Sequence, residues 1–163
     1  MKRDTLTIRP EPPRQPDVLQ LLDDAEKQSA ELYPAESRHH ADIDALERHQ
    51  VRFFVARLDG TAVGTGGYLP DGAGQAELKR LFVAAAARGQ GIARRILVTL
   101  EQAACNERVH LMQLETGVHS PGALALYRRA GYRERGPFGR YAPDPLSVFM
   151  EKPIEAARLI DAA

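Results

Sequence analysis

Cysteine is nearly absent from this sequence. Cys105 stands alone among 163 residues, which excludes an intramolecular disulfide and suits a reducing compartment. Net charge is absent too: 22 basic and 22 acidic residues cancel, so no overall field draws the chain to nucleic acid or to an anionic membrane. No uninterrupted apolar run approaches the roughly 18 residues of a membrane span. Met1-Lys2-Arg3-Asp4 leads into a strand-like stretch and prolines, not into the apolar core of a signal peptide. The expectation is a soluble cytoplasmic protein with no nucleic-acid or membrane partner. What is present is a globular composition, 44% apolar and 27% charged, on a length that suits one domain. No repeat, low-complexity block or linker divides it, so residues 1–163 are read as a single domain with its core at about 5–152.

Along the chain, Leu6-Thr7-Ile8-Arg9 alternates as a short strand and the prolines from Pro10 to Pro16 stop it. Asp17 is expected to cap a helix, with Gln20 as its capping-box partner and Val18, Leu21, Leu22, Ala25 and Leu32 on the apolar face. Tyr33-Pro34 ends that helix, and residues 43–46 suggest a second, short one. Asp59-Gly60 between β-rich runs signals a hairpin. With residues 75–83 these runs make an antiparallel meander. A helix with its stripe on Ile92, Ile96, Leu100 and Ala103 follows, then a strand over 110–116. The next helix is marked by Ser120 as N-cap, Pro121 in the first turn and Gly131 as C′ residue. Tyr132-Arg133 and residues 147–152 read as the last strands. The class is mixed α/β, with a mostly antiparallel central sheet flanked by helices.

The segment Arg88-Gly89-Gln90-Gly91-Ile92-Ala93 links a strand to a helix. Glycines let the backbone approach a ligand, and first-turn N–H groups at the positive end of the helix dipole favour a phosphate. Arg88 is placed to add a charged donor at the rim. A Walker loop is excluded, because no Gly-Lys-Ser/Thr is present. A dinucleotide site fits Gly89 and Gly91 and finds an acid at Glu115, but Arg94 stands where its third glycine belongs. A plain helix start is the third reading.

Arg88-x-x-Gly91-x-Ala93 resembles the Arg/Gln-x-x-Gly-x-Gly/Ala motif of the GNAT N-acetyltransferase superfamily. Residues 76–83 before it and 124–132 after it are similar to that family in order and type. The tail from Gly136 to Lys152 is similar to a subgroup of small bacterial single-domain members. The resemblance spans Thr5 to Lys152. It implies an acyl-CoA N-acyltransferase fold whose sheet splays between the strands at 77–83 and 110–116. Acetyl-CoA is then the acyl-donor cosubstrate and no metal is required. Its pantetheine arm would pair near Leu81, Phe82 and Val83, and its pyrophosphate would rest on the amides of Arg88, Gly89, Gln90, Gly91, Ile92 and Ala93. Ser120 replaces an asparagine that contacts the cofactor in many members.

The implied reaction moves an acetyl group to the primary amine of a small molecule or peptide by direct attack in a ternary complex. Such an amine has a pKa of about 10.4, so its proton must be removed. Glu77, eleven residues before Arg88, occupies the family's base position; an ion pair with Lys79 is the plainer reading, and water relays serve other members. Tyr127 occupies the general-acid position and would meet the CoA sulfur; packing beside Ala123, Leu124 and Ala130 is its alternative. The Val83 N–H, on an expected bulge, would hold the oxyanion.

Ser37, His39 and His40 lie in the loop that often lines the acceptor pocket of this family, and Phe138 and Tyr141 in the loop before the last strand are similar candidates. His39, His40 and His49 lack the spacing of a zinc site. Cys105 falls late in a helix and reads as packing. A non-catalytic acyl-CoA-binding sensor is the alternative function, and a homodimer is left open.

Overall fold

The computed structural model describes residues 4–39 and 41–155. Strand β1 (Leu6–Pro10) stops where the prolines begin, and helix α1 (Pro16–Leu32) starts on one of them. The helix begins two residues earlier than a cap at Asp17 requires. Gln15 is the N-cap, without a side-chain capping bond, and Pro16 fills the first turn, where a missing N–H costs nothing. Asp17 is engaged elsewhere: its Oδ2 lies 2.8 Å from Arg57, 40 residues on, while Gln20 donates to Asp24 at 2.9 Å. Leu32 is 40% exposed rather than part of the core face. After a 3₁₀ turn at Ala35–Ser37 comes the short helix α2 (Ile43–Arg48), whose Asp42 cap accepts from the Ala45 N–H.

Strands β2 (Arg52–Leu58), β3 (Thr61–Pro70) and β4 (Gln75–Val83) form the expected meander. Asp59 and Gly60 both have positive φ, 50° and 87°, as a two-residue hairpin turn demands. Helix α3 (Ile92–Asn106), strand β5 (Leu111–Gly117), helix α4 (Pro121–Arg129), and strands β6 (Arg133–Arg135) and β7 (Ser147–Pro153) complete the chain. The sheet order is β1-β2-β3-β4-β5-β7-β6, antiparallel except for β4 and β5. That parallel pair survives for only three rungs, Gln75 to Glu77 against Leu111 to Gln113. Beyond them β4 stays on β3 and β5 follows β7 to the Gly117–Ser147 rung, so the sheet opens into a V.

A bulge in β4 accompanies the opening. Gly67 faces Lys79 but Thr65 faces Phe82, so Arg80 and Leu81 together oppose Gly66. Arg80 takes the left-handed φ of 56°, its carbonyl accepts from the Thr65 hydroxyl at 2.8 Å, and the strand bends there. The irregularity therefore falls on Arg80–Leu81, not on Val83. The Arg80 side chain is buried against α1, where its guanidinium reaches Glu26 at 2.6 Å and the Leu22 carbonyl at 3.0 Å.

The two sheet faces are covered by different helices. Val55 and Phe53 point to α1 and α2 with Val18, Leu22 and Leu46; Phe54 and Ala56 point to the α3 side, as strand alternation requires. α3 sits close because β3 offers glycines: a Cβ at Gly66 would lie 2.7 Å from Ile96 and 3.0 Å from Leu100. No helix among the described residues is long and apolar enough to cross a membrane.

Candidate active site

The V between β4 and β5 is a cavity of about 570 Å³. One wall is β4, with Leu81, Phe82 and Val83; the other is β5 and the start of α4, with Glu115, Ser120 and Tyr127. A second cavity of about 340 Å³ continues from it, and Val83, Arg88, Ala93 and Leu126 line both.

The second cavity opens on the glycine turn. Gly89 and Gly91 have φ of 81° and 75°, and a Cβ on either would meet nothing within 4 Å, so the backbone there faces open space. Gly91 is the N-cap of α3, and the first intrahelical bond comes from the Arg95 N–H to its carbonyl at 3.2 Å. The amides from Gly89 to Arg94 thus have no helical acceptor, which is an anion-binding geometry, whereas the expected Arg88 amide is taken by the Ala85 carbonyl at 3.3 Å in the preceding 3₁₀ turn. Ile92 buries its side chain in the core and offers only backbone; Gln90 turns back to the Ala87 carbonyl at 3.3 Å and lines neither cavity. Arg94 and Arg129 flank the opening, the latter unforeseen. Arg88 braces the walls: its Nε donates to the Val83 carbonyl at 3.0 Å, its Nη2 to Gln28 at 2.6 Å, and it stacks 5.6 Å from the Phe82 ring centre.

Val83 itself faces the split. The Ala84 N–H donates to the Val63 carbonyl, so Ala84 is hydrogen-bonded to β3 and Val83, opposite Gly64, is not. By antiparallel alternation its N–H and carbonyl point away from β3, toward the cavity.

Five ionisable groups, Glu77, Lys79, Glu115, Tyr127 and Tyr141, meet at the other end. Glu77 sits on the last parallel rung, opposite Gln113. Glu115 lies two residues beyond Gln113 and therefore on the same sheet face. Lys79 holds Glu77 at 3.0 Å, and the Tyr141 hydroxyl donates to the same carboxylate oxygen. Burial, then the charge of Glu77, pushes the Glu115 carboxyl up to about 7; the Ser147 hydroxyl, 3.5 Å away, opposes this. Burial foremost, then Glu115, raises the Tyr127 phenol above the ordinary tyrosine range, so it stays protonated. Nothing in the residue pattern flagged Glu115 for this role, because its environment is made by the sheet register.

Of the expected acceptor-side residues, Ser37, His39 and Tyr141 line the cavity, and the His39 and Tyr141 rings meet edge-on at 5.3 Å. Phe138 does not line it; it is buried beneath Tyr141 and Phe149, at 5.1 and 5.8 Å between ring centres. His40 lies outside the described residues. Ser120 starts α4 as expected but caps nothing with its side chain; its hydroxyl pairs with the Tyr33 hydroxyl at 2.8 Å. Tyr33, also unforeseen, accepts from the His119 N–H at 2.9 Å and packs over Gly117, where a Cβ would fall 2.0 Å from its oxygen. Cys105 lies near the end of α3, half-buried, away from both cavities.

This chain and its fold have counterparts among known proteins. The model of the acetyltransferase (GNAT) family matches residues 16–132. An IAA acetyltransferase of Azospirillum brasilense is 46% identical over 150 residues, covering 91% of this chain and 98% of that protein. The structure of a Klebsiella pneumoniae protein assigned to the acyl-CoA N-acyltransferases superposes with a TM-score of 0.75 at 34% identity, over 92% of this chain and 98% of that one. A GNAT family acetyltransferase from Elizabethkingia anophelis, solved with acetyl-CoA bound, shares the fold at 20% identity with a TM-score of 0.67, over 93% of this chain and all of that one, 100%. With the family match spanning most of the chain and a relative 46% identical over 91% of it, this protein belongs to the acetyltransferase (GNAT) family of enzymes.

Proposed function

We propose that this enzyme moves the acetyl group of acetyl-CoA to the primary amine of a small molecule or peptide, by direct attack within a ternary complex. The observation that carries the reading is the continuous path from the glycine turn, past the Val83 N–H that turns away from β3, to Tyr127 and Glu115. In this reading the pyrophosphate takes the amides of residues 89–93, with Arg94 and Arg129 at its rim, and the pantetheine arm lies along Leu81 to Val83.

The acceptor amine arrives mostly as ammonium. Glu115, with a pKa of about 7, takes one proton from it, and Glu77 supplies the neighbouring negative charge that both attracts the cation and keeps Glu115 basic enough. The neutral nitrogen attacks the thioester carbonyl, forming a C–N bond, and the Val83 N–H receives the oxyanion. Collapse breaks the C–S bond, and the second proton released by the attacking nitrogen passes to the departing thiolate, which the Tyr127 phenol holds as hydrogen-bond donor, so that CoA leaves as the free thiol. Proton transfer is thus assigned to Glu115 in place of Glu77 alone, because Glu77 is already engaged by Lys79 and Tyr141.

The test is thiol release from acetyl-CoA in the presence of an amine panel, with calorimetry of acetyl-CoA alone. Tyr127→Phe should lower kcat by roughly ten- to a hundredfold with little change in acetyl-CoA affinity. Binding without turnover on any amine would make the protein a sensor, and no binding would sink the reading.

A further inference from the structure

Four basic side chains line the main cavity: Arg38, Lys79, Arg80 and Arg88. Three are already committed. Lys79 holds Glu77, Arg80 holds Glu26, and Arg88 holds the Val83 carbonyl and Gln28 at the donor end. Arg38 forms no ion pair with any described residue, and its Nε, like that of the otherwise paired Arg80, is buried without a hydrogen-bond partner. A guanidinium nitrogen left in that state costs free energy until something accepts from it.

Its position tells which ligand that is. Arg38 follows the 3₁₀ turn at 35–37 and lies between Ser37 and His39, which also line the cavity. That segment is tied to the loop before β7: His39 packs on Tyr141, and a hydrogen bond from Ser37, after the Leu146 N–H, holds the Asp144 carboxyl below its usual range. Tyr141 in turn donates to Glu77. Arg38 therefore stands on the side of the carboxylates, opposite the glycine turn where the phosphates of the donor are expected.

We propose that Arg38 binds a carboxylate carried by the acceptor, so that the substrate is an amino acid or amino-acid-like compound rather than a plain amine. This rests on the acetyl-transfer reading above. The site is then dipolar: Glu77 and Glu115 draw the ammonium, and Arg38 draws the anion at the other end of the same molecule. A carboxylate suits it better than a phosphate. One free guanidinium balances one negative charge, whereas a dianion beside two glutamates would meet net repulsion.

The experiment pairs each of a series of ω-amino acids, from glycine to 6-aminohexanoate, and a set of aromatic and aliphatic α-amino acids with its primary amide, and reads kcat/KM by thiol release. The wild-type enzyme should prefer the best acid over its amide by roughly ten- to a hundredfold, chiefly through KM. Arg38→Gln should collapse that ratio toward one, and Arg38→Lys, which keeps the charge but loses the planar fork, should restore part of it. Equal turnover of acids and amides by the wild-type enzyme overturns the inference without any variant. So does an acid-to-amide ratio that Arg38→Gln leaves intact, or failure to acetylate every acid while acetyl-CoA binds. Failure to bind acetyl-CoA is a different result and overturns the underlying reading instead.

Discussion

At the scale of single residues, the site is set by environment more than by residue type. Glu115 is an ordinary glutamate in the chain, and it titrates near neutrality because burial and Glu77 both disfavour its charged form. Two consequences follow from one shift. In catalysis, kcat/KM should rise with pH through about 7 as Glu115 loses its proton, and Glu115→Gln should remove that limb; a limb that survives in the variant excludes Glu115 as the base. In stability, the folded state holds a proton that the unfolded chain releases near pH 4.5, so this group supports folding below that value and the support is lost as pH rises through about 7. Glu115→Gln should therefore be more stable than the parent at pH 8 by roughly 1–2 kcal/mol, a figure reduced for the solvent that reaches the carboxyl, and about equal to it at pH 4.5. Urea titrations at the two pH values check this. That Tyr127 and the glycine turn would lie on one cleft was legible from motif order, and both line the cavities. Glu115 was not, because its partner Glu77 is 38 residues away and meets it only through the β4–β5 register.

At the scale of elements, local chemistry decided what long-range contacts did not claim. Asp59-Gly60, Pro121 and Gly131 act within a few residues of themselves, and each stands where its turn or helix end was expected. Asp17 and Ser120 had the right chemistry for caps, yet Arg57 and Tyr33 took their oxygens. The β4 bulge likewise depends on Thr65 and on α1, through Arg80, and a single-strand reading set it three residues late. The same logic gives the glycines of β3 a use that no turn would suggest. Gly66 lets α3 lie against the sheet, which sets the height of its first-turn amides relative to Val83. Gly66→Ala should push Ile96 and Leu100 outward, at a cost of about 1–3 kcal/mol, and weaken acetyl-CoA binding severalfold by tilting the helix start. Denaturation and calorimetry on the same variant separate the two effects; a stability loss with unchanged affinity would show that α3 yields without moving its N-terminus.

At the scale of the whole molecule, a split sheet poses a mechanical problem. Three parallel rungs alone join β1–β4 to β5–β7, and the cavity exists because no more are made. Besides the Tyr141–Glu77 bond, two side-chain clamps cross the division on opposite sides. At the mouth, Tyr33 at the end of α1 grips Ser120 and the His119 N–H, over the space left by Gly117. At the back, Glu101 of α3 is 1% exposed and receives Lys152 of β7 at 2.9 and 3.1 Å and the Tyr132 hydroxyl at 2.9 Å. The back clamp is the stronger, since its charges are withdrawn from water and each partner satisfies the other. Removing only the cation, by Lys152→Met, leaves a buried carboxylate with one neutral donor and should cost about 3 kcal/mol of stability. Removing the acid as well, in Lys152→Met with Glu101→Met, fills the same space with apolar atoms and should recover most of that loss. Tyr33→Phe, at the partly exposed mouth, should cost no more than about 1 kcal/mol. Urea midpoints for these three proteins and for Glu101→Met alone decide the matter. If the double variant is as unstable as the sum of its parts, the Glu101–Lys152 pair is not what holds the halves together, and the packing of α3 against β2, β3 and β4 carries that task alone.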